Sequence, residues 1–274
     1  YEAQNRLGGS LLLASTVHAD NERYLRWLLA EMKRLPIDIR LGRKVSAQMV
    51  ESERPDEVIV ATGAVVGTPP IPGIEQAQVL TGALMRQIVA GEILPTDAFR
   101  LKAWQRKAVE LLMPIIQRVM TPELLRRASR LWMPLGREVV IVGADLVAVE
   151  LAEFIAQRGR RVHLLETGKK IIPEVGKKRR SEHMDRLDRL RVTVNTDVGI
   201  VQVTRRGALI DADGRQQWVR ADSVVVAGNP QRETSLADAL KERGMHVQSI
   251  GDCTGLGLIV KATSSAAEAV ANIQ

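Results

Sequence analysis

The stretch between Glu138 and Glu166 narrows the fold class of this chain more than any other. Glu138–Val142 is an apolar, β-branched run, typical of a strand buried on both faces. Apolar residues then recur at helical spacing over 146–158, and Gly159 ends that pattern. Residues 161–166 form the next strand pattern and end in an acid. A strand, helix and strand of these lengths predict a βαβ unit in a parallel sheet.

The turn that follows the first strand has the spacing of a dinucleotide-binding fingerprint, G-x-G-x-x-G/A. Gly143 and Ala148 match its first and last positions. Glu166 lies about 20 residues further on, where an acid can bind a ribose hydroxyl. The predicted cofactor-binding residues here are Gly143, Ala144, Asp145, Leu146 and Glu166. The alternative is a Rossmann-type unit that has lost its ligand.

Asp145 departs from the fingerprint, because it occupies the second glycine position, where backbone must approach a pyrophosphate. A carboxylate adds bulk and a negative charge there. At ~4 Å and an effective dielectric constant near 20, each like-charge pair costs about 4 kcal/mol before screening. We therefore expect Asp145 to weaken nucleotide binding.

Composition excludes several other classes of protein. The 274 residues are 45% hydrophobic and 26% charged, which are globular values. Cys253 is the only cysteine, so neither an intrachain disulfide nor a C-x-x-C redox pair can form. The four histidines lack metal-ligand spacing, and no metal site is expected. The sequence has no bilayer-spanning run and no signal-peptide pattern at its start, and we expect a cytoplasmic protein.

The net charge of +7 comes with only 3% aromatic residues. Nucleic-acid surfaces usually pair basic charge with stacking rings, so no nucleic-acid partner is expected. The densest basic run, residues 177–180, begins a helix that also carries Glu182, Asp185 and Asp188. Alternating charge favours a solvated helix. The alternative is that this run binds a nucleotide phosphate or coenzyme A.

A basic helical insert is predicted before the βαβ unit. Residues 98–119 have helical spacing with an interruption at Pro114, and a second helix begins with Thr121 as N-cap and Pro122 at its first position. We expect residues 98–133 to pack on the protein or on a partner, and Trp104 and Trp132 to contribute to stability if they are buried. The alternative is that the insert lies on a membrane surface.

Two further segments end predicted strands on either side of the βαβ unit. Residues 57–61 form a short apolar run that leads into Thr62 and Gly63. Residues 246–250 form another, followed by Gly251 and Asp252. Together they are typical of the two outer pieces of a split FAD-binding domain.

These motifs, in this order, resemble the carboxy-terminal half of the NADH:flavin oxidoreductases of the 2,4-dienoyl-CoA reductase and trimethylamine dehydrogenase type. That half is similar to the pyridine nucleotide–disulfide reductase fold. The resemblance covers nearly the whole chain and is carried by Glu2 with residues 6–11, and by residues 61–64, 70–73, 143–166 and 250–253.

The resemblance implies an FAD site in addition to the nicotinamide site. In that family Glu2 would hold an FAD ribose, the turn at Gly8 and Gly9 would approach the cofactor, and Asp252 would bond the ribityl chain. The implied FAD-site residues are Glu2, Arg6, Gly8, Gly9, Thr62, Gly63, Gly251 and Asp252. Glu166 favours NAD, with NADP left open because Lys169 and Lys170 follow closely.

The family also implies parts that this sequence does not contain: a first strand with its own G-x-G-x-x-G, and a flavin barrel with FMN and an iron–sulfur cluster. We interpret the chain as a processed product or a piece of something longer. Its expected partners are a nicotinamide nucleotide and such a barrel, in cis or in trans. A homo-oligomer is also left open.

The predicted fold is α/β, with a Rossmann-like NAD(P)-binding domain inserted in a split, incomplete FAD-binding domain. The predicted boundaries are 1–95 and 246–274 for the FAD-binding-like parts, 96–136 for the helical insert and 137–245 for the NAD(P)-binding-like domain. The implied activity passes electrons from NAD(P)H to FAD and on to a second flavin centre that reduces an enoyl-type substrate. No catalytic side chain is predicted. The alternative is a non-catalytic scaffold or subunit-interface domain.

Overall fold

The computed structural model describes residues 1–67, 69–75, 79–81, 121–133, 135–204, 206–227 and 230–273. The chain divides into two units. Unit 1 comprises Tyr1–Leu7, Asp38–Gly67 and Asn229–Gln274, and unit 2 comprises Gly8–Ile37 and Thr68–Gly228. The domain boundaries expected from the sequence follow cofactor function, and they stay a prediction.

Helices and strands alternate through the βαβ region and are mixed elsewhere. The helices are α1 (Gly9–Val17), α2 (Asp20–Arg34), α3 (Ala47–Glu53), α4 (Pro122–Leu131), α5 (Leu146–Ala156), α6 (Lys177–Arg189), α7 (Ser235–Glu242) and α8 (Ile259–Ala271). The strands are β1 (Val58–Val60), β2 (Ala64–Val66), β3 (Val79–Thr81), β4 (Glu138–Val142), β5 (Arg161–Leu165), β6 (Thr193–Asn195), β7 (Gly199–Thr204), β8 (Gly207–Ala212), β9 (Arg215–Arg220), β10 (Ser223–Val226), β11 (Pro230–Arg232) and β12 (Val247–Ser249).

A five-stranded parallel sheet forms the centre of unit 2, in the order β3-β10-β4-β5-β6. Its central strand β4 is buried from Val139 to Val142. Helix α5 packs on it and buries Val149, Ala152 and Ile155. The predicted α/β fold and its βαβ unit are confirmed. Strand β3 was not predicted, because three residues give no measurable periodicity.

The antiparallel strands β7, β8 and β9 form a second sheet of unit 2. Asp213 and Gly214 connect β8 to β9 with positive φ angles of 52° and 76°, as a tight hairpin turn requires. Strand β9 was missed. Four of its six residues are polar and its side chains are largely exposed, so the strand lacks the apolar alternation by which a strand is recognised.

The described part of the helical insert belongs to unit 2, where it packs on helices α1 and α2. Thr121 caps α4 by accepting a hydrogen bond from the Leu124 amide at 3.2 Å, with Pro122 at the first helical position, as predicted. Leu125 contacts the small core formed by α1 and α2. Trp132 follows the last residue of α4 and is 49% exposed. Residues 98–119, with Trp104, lie outside the described residues.

Unit 1 contains two strand pairs. Strands β1 and β12 are parallel, with Val58 opposite Val247, and β2 is antiparallel to β11. Strand β1 is only partly buried, because Ile59 is 39% exposed on this two-stranded sheet. Residues 37–41 form no regular strand. Backbone hydrogen bonds join residues 40–43 to residues 2–4 there.

Candidate dinucleotide-binding site

The fingerprint turn begins at Gly143, directly after β4. Its φ of 101° is a conformation that other residues rarely adopt. A Cβ atom at this position would lie 2.3 Å from the carbonyl oxygen of Ala227, so no larger residue fits. The Gly143 amide donates to the carbonyl oxygen of Leu165 at 2.8 Å, which ties the turn to the end of β5. The glycine is therefore required by its neighbours as well as by its backbone angle.

Asp145 is the N-cap of α5. Its carboxylate accepts a hydrogen bond from the Ala148 amide at 2.8 Å. Burial raises the pKa of Asp145 above its ordinary value, and the hydrogen bond from Ala148 opposes that rise. The nearby carboxylates of Glu174 and Glu166 raise this pKa further. The aspartate at the second glycine position thus stabilises the helix start while it sits among like charges.

Glu166 follows β5 and reaches back to the same turn. One carboxylate oxygen accepts from the Ala144 amide at 2.7 Å, and the other accepts from the Gly168 amide at 2.6 Å. The parallel pairing of β4 with β5 places this acid beside the turn, as the fingerprint spacing predicts. The structure therefore brings Gly143, Ala144, Asp145, Leu146 and Glu166 together at the carboxyl ends of two adjacent strands.

Glu174 is a residue of this site that sequence reasoning missed. Its carboxylate accepts a hydrogen bond from the Leu146 amide at the start of α5. The loop that carries it is held by a hydrogen bond from the Ile172 amide to the Ala144 carbonyl oxygen at 2.7 Å. The sequence gives one general signal for such a residue. The first amides of a helix have no partner within the helix, so an acceptor elsewhere in the chain can bond them.

Three amides of the turn are thus bonded to carboxylates of the chain itself. The amides of Ala144, Leu146 and Ala148 donate to Glu166, Glu174 and Asp145 respectively. Amides at a helix N-terminus are the groups that bind a dinucleotide pyrophosphate. A pyrophosphate and these carboxylates are therefore competitors for the same donors.

The second predicted set of site residues lies at one edge of the β1–β12 sheet in unit 1. Because the two strands are parallel, Thr62 and Gly63 follow the same sheet edge as Gly251 and Asp252. The Ile250 amide donates to the Val60 carbonyl oxygen at 3.0 Å and holds the two strand ends together. The structure places side by side two segments that are far apart in the sequence.

Thr62 and Asp252 already have hydrogen-bond partners within unit 1. The hydroxyl of Thr62 donates to the Glu233 carbonyl oxygen at 3.0 Å, and the carboxylate of Asp252 accepts from the Gly257 amide at 3.1 Å. Gly63 has a φ of 75°, and a Cβ atom added there would meet no heavy atom of the described residues within 4 Å. The turn at Thr62 and Gly63 is therefore open on its side-chain face.

The amino-terminal site residues fall in both units. Glu2 and Arg6 belong to unit 1, and the carboxylate of Glu2 accepts from the Gln4 amide at 2.8 Å. Gly8 and Gly9 belong to unit 2, where Gly8 is the N-cap of α1. Their φ angles of 130° and 47° fit a tight glycine turn.

Cys253 is buried in unit 1. Its thiol lies 3.2 Å from the Val60 carbonyl oxygen and 2.8 Å from that of Ile250. Both contacts join the carboxyl ends of β1 and β12, so the thiol packs within the fold.

Comparison with known proteins assigns the family. Residues 28–266 match the pyridine nucleotide-disulphide oxidoreductase family. The chain belongs to this family. The resemblance found in the motifs is confirmed, and so is the FAD/NAD(P)-binding fold.

Curated relatives of this pyridine nucleotide-disulphide oxidoreductase chain are much longer proteins. It is 27% identical over 269 residues to an NADH oxidase of Thermoanaerobacter brockii, covering 97% of this chain and 35% of the relative. It is 29% identical over 255 residues to a bilirubin reductase of Mediterraneibacter gnavus, covering 92% of this chain and 33% of the relative. The chain therefore spans about a third of the length of these relatives.

Solved structures show the same fold. The chain aligns with 2-naphthoyl-CoA reductase at a TM-score of 0.77 and 24% identity, over 100% of this chain and 36% of the other. It aligns with histamine dehydrogenase from a Rhizobium species at a TM-score of 0.70 and 15% identity, over 99% of this chain and 39% of the other.

Metal clusters and membrane-spanning helices are both absent from the part of the chain that the structure describes. That part contains no group of three or more histidine, cysteine or acidic residues that could hold a metal ion. None of its helices combines the length and the apolar character needed to cross a bilayer.

Proposed function

We propose that this chain is the nicotinamide-nucleotide- and FAD-binding part of a flavin oxidoreductase. It passes electrons from NADH to FAD and on to a second flavin centre, which reduces an enoyl-type substrate. The family match and the NADH oxidase, bilirubin reductase and 2-naphthoyl-CoA reductase among similar proteins support this proposal. A flavin barrel, in cis or in trans, is the electron-accepting partner in this proposal.

The pairing of β1 with β12 is the observation that carries the proposal. It places Thr62, Gly63, Gly251 and Asp252 at the carboxyl ends of two parallel strands, which is the kind of sheet edge at which nucleotides bind. The fingerprint turn gives unit 2 another edge of the same type. One chain thus has two sheet edges of this kind, and electron transfer between two nucleotide cofactors requires two binding sites.

The residues of the fingerprint turn fit a dinucleotide in part. Gly143 permits close approach of backbone, and Glu166 is the acid that would bond the ribose hydroxyls. The carboxylates of Asp145 and Glu174 must give up their amides before a pyrophosphate can bind. When bound, the nicotinamide supplies a hydride and FAD accepts it.

Glu166 tests the nicotinamide site directly. Glu166→Gln keeps the shape of the side chain and removes its charge, so we expect NADH affinity to fall by about 1.5–3 kcal/mol through loss of a charge-assisted hydrogen bond. Calorimetric titration with NADH and NADPH measures this, with the exposed Glu242→Gln in α7 as the matched control. Equal NADH affinity in the wild type and Glu166→Gln would remove Glu166 from the site.

A non-catalytic scaffold is the second candidate function. It is favoured by the three carboxylates that occupy the phosphate-binding amides. In that case neither nucleotide binds, and visible flavin absorbance stays absent after reconstitution of the protein with FAD. NADH binding together with flavin absorbance would reject the scaffold.

A further inference from the structure

An open cavity of about 710 Å³ lies beside the first turns of α6 in unit 2. Gly176, Lys177, Lys178 and Arg179 line it from the start of that helix. His18 and Asp20 line it from the connection between α1 and α2, and Glu182, His183 and Arg186 complete it. Its size is within the range of small-molecule sites. The fingerprint turn contributes none of its lining residues among those the structure describes.

The start of α6 is arranged for an anion. Gly176 is its N-cap and has no side chain to accept a hydrogen bond from the first amides. The first turn contains no acidic residue and begins Lys177-Lys178-Arg179. Positive side chains at a helix N-terminus oppose the helix dipole, so this placement is unfavourable unless an anion binds there.

His183 provides an independent indication of a ligand. Its side chain is 1% exposed, and its Nδ1 lies 2.7 Å from a carboxylate oxygen of Glu153. Its Nε2 is buried and has no hydrogen-bond partner among the described residues. Buried ring nitrogens are nearly always bonded, so an unpartnered one beside a cavity calls for a partner from a ligand.

The charges around the cavity leave two cations available. Arg179 lies 3.5 Å from the carboxylate of Glu150, and Arg186 lies 3.7 Å from that of Glu153. Glu150 and Glu153 are both buried, and each forms an ion pair with one of these arginines. Lys177 and Lys178 are exposed, and within the described ranges no carboxylate lies within 4 Å of either ammonium. Asp20 and Glu182 also line the cavity and limit its net charge.

We propose that this cavity binds a small organic phosphate through Lys177, Lys178 and the first amides of α6, with the Nε2 of His183 accepting a hydrogen bond from a hydroxyl group of the ligand. A phosphate monoester presents three terminal oxygens and two negative charges, and a carboxylate presents two oxygens and one charge. The donors here exceed what one carboxylate can accept. The volume exceeds that of a lone phosphate, which leaves room for the organic group.

The test uses inorganic phosphate as the first probe, in titrations of the wild-type chain at constant ionic strength. We expect thermal unfolding to shift upward in phosphate relative to chloride. We also expect the Nε2 resonance of His183 to move in ¹⁵N NMR. The double variant Lys177→Gln/Lys178→Gln changes exposed side chains only, and we expect it to weaken phosphate binding by about ten-fold or more.

The matched control removes the same charge near the other end of α6, as Arg189→Gln/Arg191→Gln, both outside the cavity. It should bind phosphate like the wild type. Adenosine monophosphate and a sugar phosphate then separate the two sources of the phosphate group: tighter binding of the nucleotide assigns the site to a nucleotide. An unmoved His183 resonance, or an equal loss of binding in the control, would overturn the proposal.

Discussion

Asp145 offers the sharpest test of the fingerprint turn, because its carboxylate has two separable effects. It caps α5 through the Ala148 amide at 2.8 Å, and it places a charge where a pyrophosphate would bind. Asp145→Asn keeps a good N-cap and removes the charge. Asp145→Ala removes both.

The expected magnitudes differ for the two variants. A like-charge pair at ~4 Å costs about 4 kcal/mol at a dielectric constant near 20, and counterions reduce this. We expect Asp145→Asn to tighten NADH binding by about 1–2 kcal/mol, roughly 5–30-fold. Its free energy of unfolding should be unchanged or higher, because repulsion from Glu166 and Glu174 is relieved. Asp145→Ala should tighten NADH similarly and lose about 1 kcal/mol of stability with the cap.

The pH dependence follows from the raised pKa of Asp145. Its pKa in the folded chain lies above the ordinary value of 3.8, so the folded state binds this proton more tightly than the unfolded state. The stabilisation is fully present below pH 3.8 and is lost as the pH rises through the raised pKa. The stability of Asp145→Asn relative to the wild type should therefore increase from acid toward neutral pH.

Two assays check this reasoning. Calorimetric titration gives NADH affinity for the wild type and both variants, and urea unfolding across a pH series gives the stability difference. Unchanged NADH affinity in both variants would show that the carboxylate points away from the phosphates. A stability difference independent of pH would refute the assigned cause of the pKa shift.

Two further predictions concern stability. Gly143→Ala should cost about 3 kcal/mol or more in thermal unfolding, because its Cβ would meet a carbonyl oxygen at 2.3 Å. Gly159→Ala is the control, because Gly159 has a φ of 75° and its added Cβ would meet no atom of the described residues within 4 Å. It should cost only about 1–2 kcal/mol, and equal losses in the two variants would show that the contact with Ala227 is not the cause. Arg126→Ala should cost about 2–3 kcal/mol in urea unfolding, because Arg126 bonds the buried carboxylate of Glu22 and the Ser15 carbonyl oxygen. The exposed Arg127→Ala should change stability by less than about 0.5 kcal/mol, and a similar loss there would assign the effect to helix propensity.

The sequence predicted some elements of unit 2 and missed others. Strand β4 and helix α5 were predicted because a strand buried on both faces and a helix packed on it are both rich in apolar residues. The cap at Thr121 was predicted because capping is local. Strand β9 was not predicted, because its side chains are mostly exposed and its sequence lacks apolar alternation.

The sequence by itself determined the βαβ unit, the fingerprint spacing and the acid at its end. These depend on short-range periodicity and on residues a fixed number of positions apart. Only the tertiary structure decided which groups the turn contacts. Glu174 reaches the Leu146 amide through a loop held at Ala144, and Gly143 is confined by Ala227 from another strand end.

The same distinction applies to the cavity at α6. Its basic run is visible in the sequence, where alternating charge favours a solvated helix. The buried His183 and the acids that hold Arg179 and Arg186 come from different helices, and the path of the chain brings them together. Sequence patterns record how one element meets water or core. They do not record which distant side chain satisfies a given donor, because that depends on the packing of separate elements.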